Sequence, residues 1–137
     1  MENDKNTSLF LENLSAYNFN DTVEKLTLEI ENKLWKVSAI HDLQQTLLSH
    51  GKEVLPVKVF ALCHPKHSSK ILEKDNERIV SSLMPCRISV YMKSDGKTYL
   101  SRMNTAILAK SIGGIIEEVM SDSSNEVEEI LRKIIKK

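Results

Sequence analysis

The sequence has few cysteines, prolines and glycines, and it has no excess of charge of either sign. Two cysteines, three prolines and four glycines occur among 137 residues. This cysteine content is too low for the disulfide framework of a small secreted domain, so we predict free thiols in a reducing compartment. Lysine and arginine together number 19, as do aspartate and glutamate, so the net charge is zero. Because nonspecific nucleic-acid binding requires a basic excess, this balance predicts no nucleic-acid partner.

Long apolar runs are also missing from the sequence. No window approaches the roughly 18 apolar residues that a membrane-spanning helix needs, so we predict no membrane partner. Residues 1–6 are polar and lack the apolar core of a signal peptide, which together with the free thiols favours a cytoplasmic location. We expect residues 1–8 to be flexible and residues 9–137 to form a single domain of ordinary size.

Short segments with alternating side chains predict about five strands. The sequence places them within Leu9–Tyr17, Trp35–His41, Val54–Cys63, Cys86–Lys93 and Thr98–Met103. The Asp95-Gly96 pair between the last two segments is a strong hairpin signal. We therefore expect these two strands to be antiparallel neighbours.

Amphipathic periodicity and capping residues predict helices between the strands. The first helix begins near Asn20 and Asp21 and carries an apolar stripe that runs to Leu34. A short second helix begins at Asp42 and ends before Gly51. The other helices are predicted over Lys70–Asp75, Glu77–Leu83, a short segment after Asn104 or Thr105, and Ser124–Lys136. These elements predict an α+β two-layer sandwich, with a mainly antiparallel sheet of about five strands and helices on one face.

Strand alternation assigns the side chains to the two faces of the sheet. The odd-numbered residues from Val57 to Cys63 share one face of their strand, and the even-numbered residues from Cys86 to Val90 share one face of the next. Both sets are apolar and are candidates for the helix-covered core. This interpretation predicts that Cys63 and Cys86 lie in the same layer of the molecule.

The second face of the sheet then carries Phe60, Leu62 and Tyr91, a surface that a monomer seldom exposes to water. Three explanations are open: the chain's own segments cover this face, a second copy covers it, or it forms a groove for a small molecule. We predict a homodimer through this face.

The sharpest chemical cluster is Cys63-His64-Pro65-Lys66-His67, which Met84-Pro85-Cys86 follows later in the chain. Cys63 ends one predicted strand and Cys86 begins another, so antiparallel pairing brings the two thiols to the same end of the sheet. Thiols and imidazoles are suitable ligands for Zn²⁺ or Cu(I), but the spacing matches no standard zinc motif. The candidate ligand-binding residues are Cys63, His64 and Cys86, and the candidate metal ligands also include His67.

The chemistry of this cluster has more than one interpretation. The thiols are packing residues at strand ends, or they belong to a metal site, or one of them supplies redox or nucleophilic chemistry. The sequence contains no glycine-rich phosphate loop and no Gly-x-Ser-x-Gly motif, and it does not decide whether the protein is an enzyme. His41 and His50 stand alone at predicted helix ends, where we expect them to be solvated.

The order of motifs along the chain resembles domain-of-unknown-function family 302. The resemblance rests on a strand, Cys63-His64-Pro65, a short helix, Met84-Pro85-Cys86 and a strand with an Asp-Gly turn, and it extends from about Asn20 to the final helix. The family usually has Cys-Asn-Pro and Leu-Pro-Cys at these places, so His64 and Met84 depart from its pattern. The resemblance implies a small α+β domain, similar to one half of the TATA-binding-protein architecture, commonly dimeric and without an assigned activity.

The leading hypothesis from the sequence is a dimeric, non-catalytic binding or accessory domain whose site lies at the Cys63 and Cys86 end of the sheet. One alternative is a thiol-dependent redox protein or enzyme that uses either cysteine. The other is a zinc- or copper(I)-binding protein with Cys63, His64, His67 and Cys86 as ligands. The sequence identifies neither the ligand nor a partner protein.

Overall fold

The computed structural model describes residues 8–137, so residues 1–7 of the segment predicted to be flexible lie outside the described part of the chain. One sheet contains the strands β1 (Phe10–Leu14), β2 (Lys36–Asp42), β3 (Val57–Cys63), β4 (Cys86–Met92) and β5 (Thr98–Met103). All neighbouring strands are antiparallel, in the order β1-β5-β4-β3-β2. The prediction of an α+β fold with an antiparallel sheet of five strands is confirmed.

Helices connect most of the strands. They are α1 (Phe19–Asn32), α2 (Leu43–Leu48), α3 (Pro65–Leu72), a 3₁₀ segment (Glu77–Leu83), α4 (Thr105–Lys110) and α5 (Gly114–Arg132). Asp42 caps α2 as predicted, because its carboxylate accepts a hydrogen bond from the Gln45 N–H at 3.0 Å. Within residues 8–137, no helix is long and apolar enough to cross a membrane.

Two of the predicted helices begin at other residues. The N-cap of α1 is Asn18, two residues before the predicted one, and its side chain accepts a hydrogen bond from the Asp21 N–H at 2.8 Å. Leu34 lies beyond the end of α1, with a φ angle of 64° and 81% of its surface exposed, because the chain turns there into β2. α3 begins at Pro65, before the predicted Lys70, because the fixed φ and missing N–H of proline suit the first helical position.

The last helix departs furthest from the sequence prediction. It was expected over Ser124–Lys136, whereas α5 begins at Gly114 and ends at Arg132. The serine-rich stretch before Ser124 has the composition of a loop, but the helix continues through it and buries Ser123. Gly113, with a φ angle of 74°, makes the turn between α4 and α5 that glycine accommodates without strain.

The main core lies between the sheet and the helices α1 and α5. Phe60 and Leu62 of β3 are fully buried in it, as are Ile88 and Val90 of β4. These side chains share a face because Phe60 pairs with Ile88, and Leu62 pairs with Cys86, across the two strands. The predicted assignment of Phe60 and Leu62 to the second face is therefore wrong. Both faces of β3 are apolar, so alternation alone cannot indicate which of them the helices cover.

A second, smaller core lies where α3, the 3₁₀ segment and α4 meet the first half of α5. Its buried members are Ile71, Val80, Ala109, Ile116, Val119 and Met120. Leu83 and Met84 pack against this cluster at its edge. The second core holds α3 and α5 next to the ends of β3 and β4, and it therefore positions the candidate site.

Candidate functional site

Two histidines lie at the start of α3. His64 is the N-cap residue and His67 occupies the third helical position, so the two side chains project from the same side of the helix. The His64 carbonyl oxygen accepts hydrogen bonds from the N–H groups of His67 and Ser68, both at 3.0 Å. The ring centroids of the two histidines are 4.7 Å apart. Beginning the helix at Pro65 therefore brings the two imidazoles together.

Glu126 of α5 reaches this pair of histidines from the opposite side. One of its carboxylate oxygens lies 2.6 Å from His67 Nε2, and the other accepts a hydrogen bond from Trp35 Nε1 at 3.0 Å. The Trp35 ring also contacts the His64 ring edge-on, with a centroid distance of 5.5 Å. Three distant parts of the chain thus fix one carboxylate against one imidazole.

The environment of Glu126 stabilises its charged form. Burial raises the pKa of this carboxyl, but the hydrogen bonds from Trp35 and His67, with the nearby histidine charges, outweigh that effect. The net result is a pKa below the ordinary value of 4.5. Near neutral pH the site therefore contains a carboxylate anion.

Two buried nitrogen atoms of the site have no partner within residues 8–137. They are the Nδ1 atoms of His64 and His67, and the His67 residue is only 8% exposed. A neutral imidazole has one donor nitrogen and one acceptor nitrogen, so a His67 that donates from Nε2 to Glu126 presents a free lone pair at Nδ1. Buried polar atoms without partners are uncommon, and such a lone pair is a suitable ligand for a metal ion.

The two cysteines lie at the adjacent ends of β3 and β4. Leu62 is paired with Cys86 across these strands, so Cys63 is one residue further along the neighbouring strand. Both thiols are free and half-buried, and Cys63 Sγ lies 3.2 Å from the hydroxyl oxygen of Ser68. Burial raises the pKa of the Cys86 thiol, and the neighbouring Cys63 raises it further. Without a bound cation, Cys86 is therefore protonated near neutral pH and is a weak nucleophile.

One cavity joins the two histidines and the two cysteines. Its lining residues are Trp35, Leu62, Cys63, His64, His67, Ser68, Ile71, Leu83, Met84, Pro85, Cys86, Thr105, Val119, Met120 and Ser123. The space inside that water can reach is about 40 Å³. Since one water needs roughly 10–15 Å³ by this measure, the cavity has room for a metal ion and one or two waters.

All four candidate metal ligands from the sequence line this cavity, as does Met84. The prediction that the two thiols share one layer is wrong, however. Leu62 pairs with Cys86 and shares its face of the sheet, so Cys63, the next residue, lies on the opposite face. Cys63 and Cys86 meet because they lie at strand ends, where the cavity reaches both. His41 and His50 are exposed, as expected.

Sequence reasoning did not identify Glu126 or the role of Trp35. Trp35 begins a strand predicted from the sequence; it is buried in the main core, and its indole N–H also donates a hydrogen bond to Glu126. Glu126 lies among several glutamates with similar neighbours in the sequence. The one local signal was its position next to the buried Val127, at the boundary of the apolar stripe of α5.

Comparisons with known proteins agree on the fold. A solved structure described as "uncharacterized conserved protein DUF302 from Bacillus stearothermophilus" is similar to this chain, with a TM-score of 0.82 and 17% sequence identity. The match covers 93% of this chain and 98% of the other, and at this identity it shows the fold alone. No curated protein matches the chain. The family model described as "Domain of unknown function DUF302" matches residues 12–137, and the chain therefore belongs to the DUF302 family.

Proposed function

We propose that this protein is a binding domain for a transition-metal ion, Zn²⁺ or Cu(I), in the cavity at the Cys63 and Cys86 end of the sheet. The observation that carries the proposal is the pair of buried, unpartnered Nδ1 atoms of His64 and His67 beside a carboxylate. Imidazole, thiolate and carboxylate are the usual zinc ligands in proteins. A ligand that occupies the cavity gives both nitrogens the partner they lack.

The spacing of the donor atoms supports this proposal. One ligand atom from each of His64, His67 and Glu126 lies within 4.8 Å of the other two. Ligand atoms around a tetrahedral zinc ion are about 3.4 Å apart, given metal–ligand distances of roughly 2.0–2.2 Å. Rotamer adjustments of about an ångström therefore close the site. Alternatively, Glu126 keeps its contact with His67 Nε2 and orients the ring while Nδ1 binds the metal, which is a frequent arrangement in metalloproteins.

The sulfur atoms around the cavity determine which metals it favours. Cys63 and Cys86 contribute thiols, and Met84 and Met120 contribute thioethers. Soft sulfur ligands select Cu(I), whereas the carboxylate of Glu126 favours the borderline ion Zn²⁺. A metal bound near Cys86 also lowers the pKa of its thiol, which reverses the effect of burial.

Metal titration of the purified, chelator-treated protein tests this proposal. Zn²⁺ is added against a chromophoric chelator, and Cu(I) is added anaerobically against a Cu(I)-specific chelator. We expect one equivalent of at least one metal to bind to the wild type. The variant His64→Ala/His67→Ala should lose affinity by at least about 10–100-fold, the usual loss for disturbing a metal site.

The matched control is His41→Ala/His50→Ala, which removes two exposed histidines away from the cavity. This control should bind the metal as the wild type does. The proposal would be overturned if the wild type bound neither metal. It would also be overturned if His64→Ala/His67→Ala bound the metal with unchanged affinity.

A thiol-dependent redox or enzymatic function is the rival proposal. It requires a reactive thiolate, and the raised pKa of Cys86 argues against one at that position. Cys63 lies beside the Ser68 hydroxyl, which is a weak partner and not a base. Metal binding therefore has the stronger support in the geometry.

We also propose that the protein is a homodimer, with the partner copy seated against α2 and the adjoining second face of the sheet. No residue of α2 is buried, although half of its residues are leucines. Exposed apolar side chains lie on it and in the segment that follows it: Leu43, Leu47, Leu48, Val54 and Leu55. Leu48, Val57 and Tyr91 line an open hollow between this helix and the sheet. Contiguous apolar surfaces of this kind are typical of protein–protein interfaces.

Light scattering coupled to size-exclusion chromatography tests the dimer. The wild type should have twice the chain mass of 15.6 kDa, and Leu48→Asp should shift the protein to the monomer. Leu28→Asp is the control, because Leu28 is 57% exposed and lies on α1. A wild type of monomer mass at micromolar concentration would defeat this part of the proposal.

We also propose that the protein has no nucleic-acid partner and that it lies in the cytoplasm. The zero net charge supports the first, and the two free thiols support the second. Salt-sensitive retardation of DNA or RNA in a gel-shift assay would contradict the first. Microscopy of a labelled protein in intact cells tests the second.

A further inference from the structure

A second hollow shares a wall with the metal cavity. Leu83, Pro85, Cys86 and Thr105 line both spaces. The second hollow is much larger, with about 380 Å³ of space that water can reach. That volume suits a small organic molecule, whereas the cavity at the histidines suits only an ion with a few waters.

The charges along this hollow leave one cation without a partner. The buried Arg102 is neutralised, because its guanidinium donates two hydrogen bonds to Glu128 at 2.8 and 2.5 Å and a third to Asn13 at 2.6 Å. Arg87 is exposed, and its guanidinium has no hydrogen bond or ion pair to any residue between 8 and 137. The wall therefore carries a net positive charge of about +1, located at Arg87.

Hydroxyl groups and apolar side chains complete the wall. Ser82, Ser89, Ser101 and Ser124 line the hollow together with Thr105, and hydroxyls can donate to an anionic ligand. Phe10, which is 61% exposed, and Met103 provide an apolar surface beside them. The hollow thus combines one free cation, several donors and an apolar patch.

We propose that this hollow binds a small monocarboxylate, with the carboxylate held by Arg87 and the apolar part against Phe10 and Met103. This inference rests on the proposed metal function and deepens it, because it names the ligand class that binds beside the metal. A guanidinium forms two parallel hydrogen bonds with a carboxylate, and a single positive charge matches a monoanion. The shared wall at Cys86 and Pro85 places such a ligand next to the metal cavity.

Titration with acetate, butyrate and benzoate, followed by NMR of the zinc-treated protein, tests the proposal. Benzamide, a neutral analogue of benzoate, is the control ligand. We expect at least one carboxylate to bind with a Kd of about 1 mM or lower and to shift the signals of Ser89 and Ser101, with much weaker binding of benzamide. Arg87→Gln should weaken that binding by about tenfold or more, because a charge-assisted hydrogen-bond pair is lost.

Arg132→Gln is the matched control, since Arg132 is exposed on the last turn of α5 and does not line the hollow. Equal binding of benzoate and benzamide, unchanged affinity in Arg87→Gln, or no binding of any of the three carboxylates up to about 10 mM would overturn the proposal.

The same samples separate the two proposals. Zinc uptake without carboxylate binding refutes only the monocarboxylate site. Carboxylate binding that depends on Arg87, in a protein that takes up neither zinc nor copper(I), refutes only the metal site.

Discussion

Removing Glu126 from the site should destabilise the fold by a predictable amount. In Glu126→Ala, two nearly buried donors lose their acceptor: Trp35 Nε1 and His67 Nε2. Trp35 is only 4% exposed and His67 8%, so neither donor gains full access to water.

The magnitude follows from the cost of unpaired buried donors. Each one costs about 1–3 kcal/mol, and the lower half of that range applies because the Glu126 side chain itself is 31% exposed. We expect Glu126→Ala to lower the free energy of unfolding by about 2–4 kcal/mol. Glu126→Gln keeps an oxygen for Trp35, and its amide N–H can donate to His67 Nε2 once that ring carries its proton on Nδ1, so its cost should be nearer about 1 kcal/mol.

Urea denaturation of the metal-free protein measures these differences. The denaturation slope should stay constant while the midpoint decreases, which indicates a change in stability and not in the unfolded state. Glu129→Gln is the control on the same helix, because its ion pair with Lys33 is exposed to solvent and therefore contributes little to stability. If Glu126→Ala is as stable as Glu129→Gln, the account of the buried carboxylate is refuted.

The effect of Glu126 should also depend on pH. Folding lowers the pKa of this carboxyl below 4.5, so its charged form stabilises the folded state above that pH. The contribution is lost as the pH falls through the folded-state pKa. The stability difference between wild type and Glu126→Gln should therefore be constant near neutral pH and shrink below about pH 4.5. A difference that grows under acidic conditions would contradict this.

Three further predictions concern the sheet and its side chains. Phe60→Ala should lower the free energy of unfolding, measured in urea, by about 3–5 kcal/mol, and Val59→Ala should lower it by less than about 2 kcal/mol, because only Phe60 faces the helices. A larger loss in Val59→Ala than in Phe60→Ala would instead support the sequence prediction that Val59 faces the helices. Cys86 should react slowly with a thiol reagent at neutral pH and rapidly after denaturation, since burial raises its pKa, and rapid native reaction would contradict this. Burial and a hydrogen bond to Glu12 raise the pKa of Tyr91 far above 10, so Tyr91→Phe should leave the absorbance titration near pH 10 unchanged.

The strands could be predicted from the sequence because alternation and turn residues are local signals. The β5 segment Thr98–Met103 agrees with its predicted bounds, and the Asp95-Gly96 turn joins it to β4. The covered face of β3 could not be predicted, because its odd- and even-numbered residues are both apolar. Packing against α1 and α5 decides that question, and these contacts are distant in sequence.

The site was partly predictable for the same reason. The motif at Cys63 and the one at Cys86 end and begin adjacent strands, so antiparallel pairing alone brings them together. Glu126 could not be found this way, because its contact with His67 joins α5 to α3 through the second core. The unexpected length of α5 and the start of α3 at Pro65 create that contact.

Anomalous diffraction at the zinc edge, from crystals grown with Zn²⁺, tests the central proposal most directly. We predict a peak in the cavity within about 2.0–2.1 Å of a nitrogen of both His64 and His67, with Glu126 or a cysteine sulfur nearby. A cavity without a peak, in crystals whose zinc is bound only at exposed groups such as His41 or His50, would contradict it.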